Sequence, residues 1–214
     1  MTLPPDSFQM QRERMVRTQL ADRGIRDPRV LAAMSAVPRH EFIPEELREN
    51  AYEDHPLPIG EEQTISQPYI VAAMLEQLAL RASDRVLEIG TGSGYVRALL
   101  AELCCEVFSV ERHGSLAASA ESTLRRLGFS NVKIRVGDGS HGWSEYSPFD
   151  AILVSAATPE IPPPLLEQLG DGGRMVLPVG PPSSQELQLI HKNAGQFDVR
   201  KLEGCRFVPL IAHP

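Results

Sequence analysis

A chain of 214 residues, 42% hydrophobic and 23% charged, is long enough to bury a core and fits one α/β unit with a small appendage. A formal net charge of −7 argues against a protein that lives on phosphate backbones, and no apolar run approaches the length of a membrane span. The first residues lack the basic start and apolar stretch of an export signal, and the three cysteines (Cys104, Cys105, Cys205) make neither a disulfide framework nor a zinc site, so buried free thiols in a reducing cytoplasm are expected.

Residues 1–6 read as frayed. Ser7 to Arg23 reads as a helix stopped by Gly24, with Phe8, Met15, Val16 and Leu20 near one face. Asp27-Pro28 starts a second helix, an N-cap acid followed by proline at the first helical position, which carries Val30, Leu31 and Met34 and ends before Pro38. A linker to Pro44 precedes a short helix from Glu45 to Tyr52, and residues 54–60 are proline-rich without pattern. Ile70, Val71, Met74, Leu75 and Leu78 form the apolar stripe of a further helix. Ser66, at its start, is read two ways: as an N-cap, or as a hydroxyl placed where a helix N-terminus attracts a carboxylate.

The alternation then becomes regular. Strands are predicted at 85–89, 106–110, 132–136, 149–154 and 174–177, with helices at Tyr95–Leu103, Ser115–Leu127 and around 165–169. Asp171-Gly172-Gly173 reads as a turn. Leu187–His191 and Phe207–Ile211 complete the set, with Phe197–Lys201 as an extension. Strands alternating with helices predict a doubly wound, mainly parallel sheet. Residues 1–80 form an N-terminal helical extension and 81–214 an α/β core, in one compact unit. The six histidines are scattered without ligand-pair spacing, so no metal is expected.

The turn Glu88-Ile89-Gly90-Thr91-Gly92-Ser93-Gly94-Tyr95 carries the chemistry. Glycines at alternate positions let the backbone turn sharply and let a ligand approach it. A dinucleotide fingerprint needs its third glycine one position later, where this chain has Tyr95, and Val96-Arg97 does not complete a phosphate loop. What remains is a nucleoside site without a pyrophosphate, the expectation for S-adenosylmethionine. Three acids sit at strand ends, where an open α/β sheet binds ligands: Glu88, Glu111 and Asp138. Glu111 follows the turn by roughly twenty residues, the spacing at which an acid reaches a ribose. Asp138 is expected at an adenine amino group. Glu88 either fixes the turn or faces the amino group of a methionine moiety.

Five stretches resemble the protein-L-isoaspartate O-methyltransferase family: Thr64-Ile65-Ser66-Gln67-Pro68, the run 86–95, Val136-Gly137-Asp138-Gly139, the run 172–180 and Arg206-Phe207-Val208-Pro209-Leu210. The resemblance spans about Val16 to Leu210. The glycine motif is shared by many methyltransferases; the Thr-Ile-Ser-Gln-Pro element and the Phe-Val-Pro-Leu ending are far more specific. It implies a class I, Rossmann-like fold with a seven-stranded sheet. It also implies S-adenosylmethionine as methyl donor, with S-adenosylhomocysteine as product. The implied acceptor is the α-carboxyl of isoaspartyl residues in damaged proteins, with repair through a succinimide. By carry-over, Ser66 is the active-site hydroxyl. Gly90, Gly92, Gly94, Glu111, Asp138 and Gly139 line the cofactor site with Glu88 at its base, and Ile65 and Val208 flank the isoaspartyl peptide. A cytoplasmic monomer acting on proteins, without nucleic acid or membrane, is expected.

Val96-Arg97, Cys104-Cys105 and Gly204-Cys205 depart from the family pattern. Two alternatives stay open at this level: a methyltransferase on a small-molecule acceptor, and a donor-binding protein without turnover.

Overall fold

The computed structural model describes residues 5–211. The expectation of frayed ends at 1–4 lies outside the described residues; Pro5 and Asp6 already belong to the first helix, α1 (Pro5–Met15). The helical run continues as a π turn (Val16–Leu20) and a 3-10 turn (Ala21–Arg23) before Gly24 ends it at φ 107°. α2 (Pro28–Ala36) starts as expected, with the Asp27 carboxylate accepting from the amides of Arg29 and Val30. The helix expected at 45–52 is instead a 3-10 segment, Glu45–Asn50.

The proline-rich stretch is not patternless. β1 (Leu57–Gly60) and β2 (Gln63–Ile65) form an antiparallel hairpin. Its turn residues, Glu61 and Glu62, have φ of 51° and 57°. Such turns ordinarily announce themselves by Asn-Gly, and two glutamates give no such signal. α3 (Pro68–Leu78) follows, capped by Gln67 rather than Ser66, and without a side-chain cap. The N-cap reading of Ser66 therefore fails.

The core alternates as expected: β3 (Arg85–Ile89), α4 (Tyr95–Leu103), β4 (Glu106–Glu111), α5 (Gly114–Arg126), β5 (Val132–Val136), β6 (Phe149–Val154), α6 (Pro163–Gln168), β7 (Leu169–Val179), β8 (Gln185–Asn193) and β9 (Gln196–Cys205). The seven-stranded sheet has the order β5-β4-β3-β6-β7-β8-β9, parallel as far as β7 and antiparallel in the last two pairings. The turn expected at 171–173 is an irregularity inside β7, where the register against β6 slips.

The last strand is also corrected. Phe207–Ile211 makes only an isolated bridge, Ala157 with Pro209, and β9 takes the sheet edge. Pro209 has no amide to donate, so the segment bonds on either side of it: Val208 O accepts from Ala157 N, and Leu210 N donates to Ala157 O. It becomes a strap beside the end of β6.

Side chains alternate across the sheet. Val86, Val107, Leu153 and Val176 join the α1–α4 side, while Leu87, Phe108, Ile152 and Met175 join Trp143 and Leu165 on the other. The first cluster runs without a break from Met15 and Met34 through Leu75 to Leu99 and Leu189, so it spans both sides of residue 80. All three cysteines are free, but only Cys104 is buried; Cys105 is exposed and Cys205 half-buried. Among the described residues, no helix is long and apolar enough to cross a membrane, and no cluster of histidine, cysteine or acids can hold a metal.

Candidate active site

β3 is flanked by β4 on one side and β6 on the other, so the strand order reverses there and a crevice opens at its carboxyl end. The chain leaves β3 through this crevice. Gly90 N donates to Val110 O of β4, and Ser155 N, just past β6, donates to Ile89 O. A cleft lies over the turn, open at its mouth. Gly92 stands at φ 50°, and a Cβ there would sit 3.3 Å from the Ile59 side chain of the hairpin, which covers the turn.

Glu111 ends β4 on the cleft wall, 5% exposed. One carboxylate oxygen accepts from Gly92 N at 2.8 Å and the other from His113 N at 2.9 Å. Each oxygen keeps a further lone pair for a ligand hydroxyl. Gly139 also lines the cleft, where a Cβ would meet Ile89 Cγ2 at 2.4 Å. A side chain there would displace the wall of the cleft.

Three other sequence-derived residues support the turns around the cleft. Asp138 holds the next turn, its Oδ1 accepting from Ser140 N and Ser140 Oγ. Gly94, at φ 90°, precedes α4 and lets it approach α5, since a Cβ would stand 3.0 Å from Ala120 Cβ. Glu88 is fully buried on the α4 face of the sheet and accepts from Ser109. Burial pushes its carboxyl up to about 7.

Ser66 follows β2 on the wall shared by the cleft and a second, larger groove. Thr64, Ser155, Val208 and Pro209 belong to the same shared wall. Outward, the groove passes Tyr69, Phe207, Cys205, Arg206 and Arg23. The Arg23 guanidinium lies 3.6 Å from the Tyr69 ring centre and pairs with Asp54. Ile65 is buried in the cleft wall beside Ser66.

Sequence reasoning missed what holds Ser66. Arg39 is wholly buried; its Nη2 donates to Ser66 O at 2.9 Å and its Nε to Ala51 O at 2.8 Å, 5.0 Å from the Tyr95 ring. Burial lowers its pKa to about 10, still a cation at neutral pH. Ser155 was also missed, although its place just past β6 beside β3 follows from the strand-end rule.

The family model for protein-L-isoaspartate(D-aspartate) O-methyltransferase matches residues 10–213. The chain is 56% identical over 205 residues to protein-L-isoaspartate O-methyltransferase 1 of Syntrophobacter fumaroxidans, covering 96% of each. It is 57% identical over 209 residues to the protein-L-isoaspartate O-methyltransferase of Syntrophus aciditrophicus, again covering 96% of each. A solved β-aspartate methyltransferase from Plasmodium falciparum, in complex with S-adenosyl-L-homocysteine, superposes with a TM-score of 0.82 at 28% identity, over 94% of this chain and 98% of that one. With its glycine turn, its strand-end acid and a serine between cleft and groove, this chain belongs to the protein-L-isoaspartate(D-aspartate) O-methyltransferase family.

Proposed function

We propose that the protein transfers the methyl group of S-adenosylmethionine to the α-carboxylate of L-isoaspartyl residues in damaged proteins. The observation that carries this reading is the place of Ser66, on the wall common to the cleft over the glycine turn and the groove beside it. Family membership and the S-adenosylhomocysteine complex of the Plasmodium neighbour support the cleft as the donor's place.

The residues present fit that donor. Gly90, Gly92 and Gly139 leave its path free of side chains, and Glu111 offers lone pairs to two ribose hydroxyls at once. Asp138 and Gly94 shape the turns on which it rests. Bound S-adenosylmethionine supplies a methyl group on a sulfonium sulfur, an already activated leaving group.

The chain itself has little chemistry to add. An acceptor carboxylate, with a pKa of about 4, is ionised at neutral pH and needs no general base. Ser66 Oγ–H donates to one carboxylate oxygen and leaves the other free to attack. Arg39 fixes the Ser66 backbone. Ile65 and Val208 flank the junction and keep water from it, which favours a step in which opposite charges cancel. Alignment of the reacting atoms supplies the rate. The ester then closes to a succinimide as the neighbouring backbone nitrogen expels methanol, and water reopens the ring in part to normal aspartate.

Labelled donor should transfer its methyl group to an isoaspartyl peptide and not to its aspartyl twin. Equal labelling of both would remove the isoaspartyl acceptor; tight donor binding without labelled peptide would remove turnover. The reading keeps the protein a cytoplasmic monomer that needs neither nucleic acid nor membrane, and sedimentation at monomer mass is the expected result.

A further inference from the structure

A line of buried polar groups runs behind the glycine turn, and methyl transfer gives it no direct part. Glu88 and Ser109 are register partners on adjacent parallel strands, so their side chains share one sheet face. Ser109 Oγ donates to Glu88 Oε2 at 2.5 Å, and Thr91 Oγ1 lies 2.5 Å from Ser109 Oγ. A hydroxyl has one proton. With that of Ser109 on the carboxylate, Thr91 must donate to Ser109, and the line runs one way, from turn to acid. Arg97 of α4 is buried as completely, and Glu88 is the strongest opposite charge acting on it, ahead of Glu121. Glu88 Oε1 and all three Arg97 guanidinium nitrogens have no hydrogen-bond partner within the protein, and the two buried groups stand farther apart than a direct ion pair, so their charges act on each other across a gap.

We propose that Glu88, Ser109 and Arg97 are positioning residues for the methyl donor: Arg97 balances the buried Glu88 carboxylate, the carboxylate orients Ser109, and Ser109 fixes Thr91 between the cleft-lining Gly90 and Gly92. The proposal rests on the reading of the cleft as the donor site. It makes donor binding depend on the charge of a residue the donor does not touch. Burial pushes the Glu88 carboxyl up to about 7; Ser109 of β4 and Arg97 of α4 oppose that rise, and Glu111 at the end of β4 adds to it. Once protonated, Glu88 can donate to Ser109. The line then reverses: Thr91 accepts from Ser109, and its own proton turns out of the line, which changes what the turn presents to the cleft. If only the ionised form holds the turn, binding at pH 6 is about tenfold weaker than at pH 8, because the competent fraction falls by that factor.

Calorimetric titration of S-adenosylhomocysteine between pH 6 and pH 8.5 tests the proposal on the wild type and on Glu88→Gln, Ser109→Ala, Arg97→Gln and His113→Gln. The wild type should show the step. Glu88→Gln and Ser109→Ala should bind more weakly at pH 8 and show no step, and Arg97→Gln should move it to higher pH. His113 is the imidazole that lines the same cleft, and its variant should keep the step. A wild-type step persisting in Glu88→Gln or Ser109→Ala, or vanishing in His113→Gln, overturns the proposal. A wild type that binds nothing at any pH defeats the donor-site reading itself and takes the proposal with it. If circular dichroism shows Arg97→Gln unfolded, the Glu88→Gln and Ser109→Ala pair decides.

Discussion

Ser66 and Arg39 form one device, a hydroxyl and the cation that fixes its backbone. In the Ser66→Ala variant one hydrogen bond to the acceptor carboxylate is lost, and bonds to charged groups contribute about 1.5–3 kcal/mol. Turnover on isoaspartyl peptide should fall roughly 10- to 100-fold, while calorimetry finds the S-adenosylhomocysteine affinity within about twofold of wild type. A collapse of donor affinity would move Ser66 into the donor site. Arg39→Lys keeps the charge but loses the fork that reaches Ala51 O and Ser66 O together. It should lower both melting temperature and kcat and spare donor affinity. The serine was legible because its neighbours in sequence carry the family pattern. The arginine was not: its partners lie 12 and 27 residues away, and nothing local marks a buried guanidinium.

Among the elements, the β1–β2 hairpin most needs a function. Ile59 rests on the glycine turn, and the tip is held at the start of α5, where Ser115 Oγ donates to Glu61 Oε1 at 2.6 Å and His113 Nδ1 lies 3.7 Å from Glu61 Oε2. These tip contacts are largely exposed and therefore weak. That suits a cover which must lift for the donor to exchange. Glu61→Ala should raise the donor dissociation rate about threefold in stopped-flow measurements, with little change in melting temperature. An unchanged rate would show that the tip does not gate the cleft. Helix starts such as Asp27-Pro28 could be read directly, because capping is local chemistry. β9 could not: it is an edge strand exposed along nearly its whole length, so it lacks the alternation that marks a half-buried strand.

At the scale of the molecule, the N-terminal extension and the core should unfold together. Arg174 of β7 donates to the carbonyl oxygens of Leu78 and Ala79 at the end of α3 and pairs at 2.6 Å with Asp84, both side chains being buried. Arg174→Met leaves Asp84 without its buried counter-ion, at a cost of about 3–5 kcal/mol. Calorimetry should show one lowered transition; two separate transitions would mean that residues 1–80 fold on their own. The sequence by itself determined the alternating core, the glycine turn, the acid at the end of β4 and the family, because each rests on neighbours in the chain: a period, a cap, a spacing. Only the tertiary structure decided that Glu88 is wholly buried while Glu111 lines the cleft, that Phe207–Ile211 is a strap and not a strand, and that a buried arginine holds the backbone of Ser66. Those outcomes depend on which face of a sheet a residue joins and on partners brought together across the chain, and no local pattern encodes either.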